Sequence, residues 1–244
     1  MEKKVAMLKR ILEESKYTVA LWGSGMLEEA GRRSIKHQER AYEIEKKYHD
    51  SPEDLFSSVY YSTRPEKFFE FYKNEILGDI PSPTSSGSAL AAMEKAGKLQ
   101  CVITSNIYDQ PRRAGCSHVI NLRGSVYKNR CTRCEKEYPV EYILDAKGIP
   151  FCENCKGAIR PQVSLFGEMV DARLMRDTTL EVERAEVLLV LGATLQSEVF
   201  ANYIRYFNGK YLVVIHQRPH HSDDTADLVI IDEPKNVLGQ LGYE

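Results

Sequence analysis

Short, uninterrupted apolar runs recur along the chain, and each closes on a glycine or a polar turn. They are YTVALWG (17–23), CVIT (101–104), HVINL (118–122), EVLLVLG (186–192), YLVVI (211–215) and DLVIID (227–232). A strand that loses solvent on both faces has no polar side to alternate with, so such runs predict central strands of a parallel sheet. Between them the period changes. Val5, Leu8, Ile11 and Leu12 share one helical face at the start of the chain. Helical patterns also fall near 85–97, 178–185 and 196–207. Apolar strands alternating with helices predict an open, mostly parallel α/β sheet with right-handed crossovers.

Two stretches break the alternation. Residues 36–80 are rich in Lys, Glu, Tyr and Phe, and include PEKFFEFYKNEIL (Pro65 to Leu77), a predicted helix with proline in its first turn. PSPTSSG (Pro81 to Gly87) reads as a hinge whose serines are available as caps for the next helix. Residues 126–160 hold paired cysteines. The expected organisation is a main domain from 1–35, 85–125 and 161–244, a helical insertion at 36–84 and a cysteine module at 126–160.

Charge narrows the classes of partner. With 33 basic and 35 acidic side chains the chain is nearly neutral, which argues against a dominant nucleic-acid surface. Its opening, MEKKVAMLKRILEE, is too charged for a signal peptide, and no apolar run nears the ~18 residues of a membrane span. A cytoplasmic protein with no membrane attachment is expected.

In a reducing compartment, RCTRC and FCENC read as a metal site made of Cys131, Cys134, Cys152 and Cys155, with a redox pair as the alternative. Four thiolates suit tetrahedral zinc and leave no open position, so the ion would be structural. Cys101 and Cys116 sit beside apolar runs and are expected to be buried thiols. The first strand leads into WGSGMLEEAG, where Gly23, Gly25 and Gly31 permit a tight turn close to a phosphate, or simply end the strand. Glu28 and Glu29 suit a phosphate only if they turn away. Asn106 in TSNIYDQ would orient a ligand or form an Asx turn. LGAT (191–194) and IHQ (215–217) end two more strands in the same manner.

The ordered set WGSG, TSNI, RRAG, VINLRGSV, CTRC, CENC, IRPQVSLFGE, LGAT and VVIH resembles the sirtuin, or Sir2, family over almost the whole chain, in the style of a divergent bacterial member. The resemblance implies a Rossmann-like NAD-binding sheet with helices on both faces, plus a smaller helical and zinc-binding domain. It also implies removal of acyl groups from lysine in a peptide or protein docked between the two. Cofactor contacts would fall to Gly23, Ser24, Gly25, Gly31, Ser105, Asn106, Gly192, Ala193, Thr194 and His216. Substrate contacts would fall to Val163, Phe166, Gly167 and Glu168. The family's loop aromatic and arginine are here Ile35 and Lys36. Ser105 and Tyr108 replace a glutamine and an aspartate beside Asn106.

Arg123 is the serious departure, because it occupies the place of the family's catalytic histidine. Imidazole titrates near neutral pH and accepts a proton, whereas guanidinium has no acceptor. The reading is therefore an NAD-dependent deacylase impaired at Arg123. The alternatives are an NAD or ADP-ribose binding module, and an ADP-ribosyltransferase or NAD hydrolase.

Overall fold

The computed structural model describes residues 1–243; Glu244, at the end of the expected main domain, lies outside them. All six apolar runs are strands of one parallel sheet: β1 (Thr18–Trp22), β2 (Cys101–Thr104), β3 (Val119–Asn121), β7 (Val187–Leu191), β8 (Tyr211–His216) and β9 (Leu228–Ile231). They lie in the order β3-β2-β1-β7-β8-β9. Chain direction along the sheet reverses between β1 and β7, so the loops after these strands diverge and leave a crevice at their carboxyl ends. Apolar clusters fill both faces. Ala20, Trp22, Val102 and Leu189 meet the helices Glu2–Glu14 and Ser85–Lys95 on one side; Val19, Leu21, Ile103 and Val190 meet Ala172–Arg184 on the other.

A second sheet is antiparallel, ordered β5-β4-β6, with β4 at Gly124–Cys131, β5 at Glu137–Tyr138 and β6 at Ile159–Val163. One apolar cluster joins it to the helical stretch, bringing Ile44, Leu55, Phe68 and Phe71 together with Val126, Ile143, Cys152 and Ile159. Neither stretch has a core of its own.

Three helices differ from expectation. The helix predicted over Pro65–Leu77 is α-helical only to Phe71 and widens to a π-helical turn over Tyr72–Leu77. The carbonyls of that turn are taken by tertiary donors: Arg40 donates to Glu75 at 2.7 Å, and Arg32 and Tyr108 donate to Ile76, each at 3.1 Å. The pattern at 178–185 extends back to Ala172, where Asp171 accepts from the Leu174 amide at 2.9 Å; the exposed Arg-rich first turns hide its start. The pattern at 196–207 yields only Ala201–Ile204. Ser197 and Glu198, just before it, face the crevice instead. The cap of Ser85–Lys95 is Thr84 rather than a serine.

Phe68 is fully buried and packs against the rings of Phe56, Tyr61, Phe69 and Tyr72 at centroid distances of 5.2 to 6.4 Å. Phe68→Ala should destabilise the chain by about 3–5 kcal/mol in urea unfolding, since the cavity left among rigid rings cannot collapse. A loss below about 1 kcal/mol would mean that this cluster is not the core of the smaller domain.

Candidate active site and metal centre

The crevice at the switch point is a cavity of about 960 Å³. It gathers Ser24, Gly25 and Gly31 from the turn after β1, Ser105 and Asn106 after β2, and Arg123 after β3. From the far side come Gly192, Ala193 and Thr194 after β7, His216 at the end of β8, and Phe166 beyond β6. Gly23, Val163, Gly167 and Glu168 stand behind this wall rather than in it.

The two glycine turns fit into each other. The Gly23 amide donates to Leu191 and the Gly25 amide to Gly192, at 2.8 and 2.9 Å. A Cβ on Gly25 would lie 2.7 Å from the Gly192 carbonyl oxygen, and Gly192 itself has φ +59°. The glycines are thus required by backbone contact, and two of their amides are already used. The neighbouring Ser24, Ala193 and Thr194 amides make no hydrogen bond to other described residues and border the cavity. Glu29 turns away from the cavity, accepting from the Ser85 hydroxyl and the Ser86 amide at the start of a helix, whereas Glu28 lines the cavity, contrary to the expectation for a phosphate site.

Asn106 is buried and forms the Asx turn: its Oδ1 accepts from the Tyr108 amide at 2.7 Å while Nδ2 donates to Gln110. Tyr108, where the family has aspartate, is buried in the cavity wall, its hydroxyl donating to the Ile76 carbonyl and its ring lying beneath the Arg32 guanidinium, 4.9 Å from ring centroid to charge. The carboxylate that follows, Asp109, is also buried and accepts from Asn121 and Ser125. Its left-handed backbone (φ +52°) gave no signal in the sequence. His216 is buried, with Nε2 3.0 Å from Asp223.

Arg123 packs its guanidinium over the Phe166 ring at 5.5 Å, and Lys36 lies over the same ring at 5.1 Å. Lys36 is paired with Glu198 at 3.0 Å. The Arg123 guanidinium has no hydrogen bond or ion pair to another described residue. Burial lowers its pKa from the usual value, and the charge of Glu198 opposes that shift. A half-buried cation facing a cavity without an acceptor is suited to hold an anion.

The Phe166–Glu168 turn is fixed from three directions. Phe166 donates to Phe56 and accepts from Ser58, both at 3.0 Å. Glu168 accepts from the Leu165 amide at 2.9 Å and pairs with Arg160. Gly167 has φ +86°. Val163 ends β6, which pairs with β4 on one side and leaves its other edge open.

The Sγ atoms of Cys131, Cys134, Cys152 and Cys155 lie within 4.8 Å of one another. Thiolate acceptors are provided for: the Tyr138 hydroxyl donates to Cys152 at 3.1 Å and the Arg133 amide to Cys131 at 3.4 Å. The Tyr138 hydrogen bond, helped by the Cys155 and Asn154 amides, holds the Cys152 thiol down at about 6 against the cost of burial. Sulfur-only donors converging from two tight turns, with hydrogen bonds aimed at sulfur, fit a tetrahedral zinc. Burial pushes the Cys116 thiol up to about 12, consistent with a structural role.

A model described as "Sir2 family" matches residues 23–199. The NAD-dependent protein deacetylase of Clostridium perfringens is 34% identical over 242 residues, covering 99% of each chain. That of Cutibacterium acnes is 35% identical over 224 residues, covering 91% of this chain and 90% of its own. A structure solved to explain sirtuin substrate affinity superposes with a TM-score of 0.87 at 29% identity, covering 97% of both chains. A Sir2 complex with a p53 peptide and NAD+ gives 0.80 at 28% identity, covering 96% and 95%. Glycine turns meeting at a switch point, beside a four-cysteine module, thus define a divergent Rossmann-like class. The chain belongs to the Sir2 family.

The Gly192 contact is testable directly. Gly192→Ala would place a Cβ 2.9 Å from the Met26 amide nitrogen at a positive φ. It should cost about 1–3 kcal/mol in urea unfolding. Unchanged stability would show that the two turns do not depend on each other.

Proposed function

We propose that the chain is an NAD-dependent lysine deacylase of Sir2 type whose second half-reaction is impaired at Arg123. The observation that carries the reading is the convergence, in one 960 Å³ cavity, of phosphate-suited amides, Asn106 and the Phe166 turn. The Ser24, Ala193 and Thr194 amides would take the phosphates, beside Gly25, Gly31 and Gly192. His216, oriented by Asp223, would border the adenosine side, while Ser105 and Asn106 border the other end. NAD held there would supply an electrophilic ribose carbon to the acyl oxygen of the substrate. Cys131, Cys134, Cys152 and Cys155 would hold a structural zinc in the cysteine module at 126–160, beside the helical insertion at 36–84 and the main domain. Thiolates that must stay reduced favour a cytoplasmic setting.

For the acyl-lysine partner, the open edge of β6 at Val163 offers strand pairing to an extended peptide. Phe166 forms an apolar wall, and Gly167 and Glu168 hold its turn in place. The first step needs an electrophile and a positioned acyl oxygen, both independent of a base at residue 123. The later proton removal needs an acceptor, and guanidinium offers none.

A second reading, NAD or ADP-ribose binding without turnover, is favoured by the unpaired Arg123 guanidinium, which would hold an anionic ligand rather than process it.

Paired assays of the chain and Arg123→His distinguish the readings. Nicotinamide exchange should exceed complete deacylation in the chain itself. Histidine should raise deacylation by about 10²–10⁴ while leaving exchange within an order of magnitude. In the histidine variant deacylation should also rise with pH through about 6–7, because neutral imidazole is the acceptor; the arginine chain should lack that rise. Comparable exchange and deacylation in the unaltered chain would refute the assigned defect. NAD binding with no nicotinamide release from either protein would favour the binding module.

A further inference from the structure

The end of the sheet away from the crevice holds a second group of ligand-type side chains. Cys101 opens β2 and His118 immediately precedes β3. The parallel register pairs Val102 with Val119, so Cys101 and His118 are neighbours one position earlier, on the same face of the sheet. The helix Ala172–Arg184 packs on that face and carries Glu181. One sulfur, one imidazole nitrogen and one carboxylate oxygen from these residues lie within 4.8 Å of one another.

Each side chain is set up as a ligand. Cys101 is fully buried and Glu181 is 8% exposed, while His118 is exposed and gives the group access to solvent. His118 Nδ1 lies 2.7 Å from the Gln100 carbonyl. That contact requires the proton on Nδ1 and leaves the Nε2 lone pair free, the arrangement seen behind metal-bound histidines. Glu181 accepts from the Tyr17 hydroxyl at 2.8 Å through Oε2, while Oε1 forms a loose ion pair with the exposed Arg184 at 3.7 Å, too long for a hydrogen bond. The carboxylate is oriented but has acceptor capacity left, beside a thiol it would repel once ionised.

We propose that Cys101, His118 and Glu181 form a second zinc site, separate from the four-cysteine centre and from the crevice. Thiolate, imidazole and carboxylate together suit zinc, with a fourth position open to water on the His118 side. On binding, the Cys101 thiol proton passes to solvent and sulfur donates its electron pair to the ion, with no change of oxidation state. The ion would tie the leading ends of β2 and β3 to the helix above them. The inference is independent of the deacylase reading.

The test is zinc stoichiometry of the full chain, equilibrated in buffered micromolar zinc, desalted and measured by mass spectrometry. About two zinc per chain are expected, one in the four-cysteine centre. His118→Gln, at an exposed position that keeps the fold, and Cys101→Ala should each bring the count to about one, with affinity at the lost site reduced more than about 100-fold. Cobalt gives a second readout: the later equivalent should add a sulfur charge-transfer band that is absent in Cys101→Ala. One zinc in the unaltered chain, or two in both variants, would overturn the site.

Discussion

The contact between the turns after β1 and β7 is the constraint on which the rest depends. The Gly192 carbonyl oxygen lies against Gly23 and Gly25 closer than any side chain permits, and the Leu191 carbonyl accepts from the Gly23 amide. This contact holds the two halves of the sheet together where their connections diverge. It also decides which backbone amides remain for a ligand. With Gly23 and Gly25 donating across the turn, the amides left without a partner there are those of Ser24 and of the residues after Gly192. A glycine-rich turn is easily read as a phosphate cradle; here the glycines bring the strands together and their neighbours face the cavity.

The parallel strands were legible because burial on both faces removes polar alternation, leaving runs such as LLVL that no exposed element would carry. The paired cysteines were legible because two short turns around one ion fix their spacing. The π-helical turn was not, since its cause lies elsewhere in the chain: Arg32, Arg40 and Tyr108 draw out the carbonyls of Glu75 and Ile76. The motif around Glu168 gave no sign that its carboxylate is engaged by Arg160 and the Leu165 amide. Asn106 left two readings open, and its hydrogen bond to Tyr108 is the Asx turn. Long-range partners of this kind leave no periodicity behind.

Arg123 illustrates how a fold tolerates a change of chemistry. The next residue, Gly124, has φ +73°, and its Cα faces the Gln162 carbonyl so closely that a Cβ would collide. The backbone of the turn is therefore set by Gly124 and by the Ser164 amide bonded to the Arg123 carbonyl. The side chain at 123 is free to vary without disturbing β4, whose far end is the zinc-ligand candidate Cys131. Imidazole or guanidinium would emerge into the crevice from the same place. They differ in reach, in permanent charge and in the ability to accept a proton.

The turn at Phe166 has a consequence for recognition. Its backbone is bonded to Phe56 and Ser58, and the Glu168 carboxylate closes it from beneath. A loop that is already ordered loses little conformational freedom when a partner docks, so more of the contact energy appears as affinity. Rigidity has a second effect: a poorly shaped partner cannot be accommodated by remoulding the wall. Selectivity at this surface would then come from shape presented in advance, with few ways for the protein to adjust to a wrong guest.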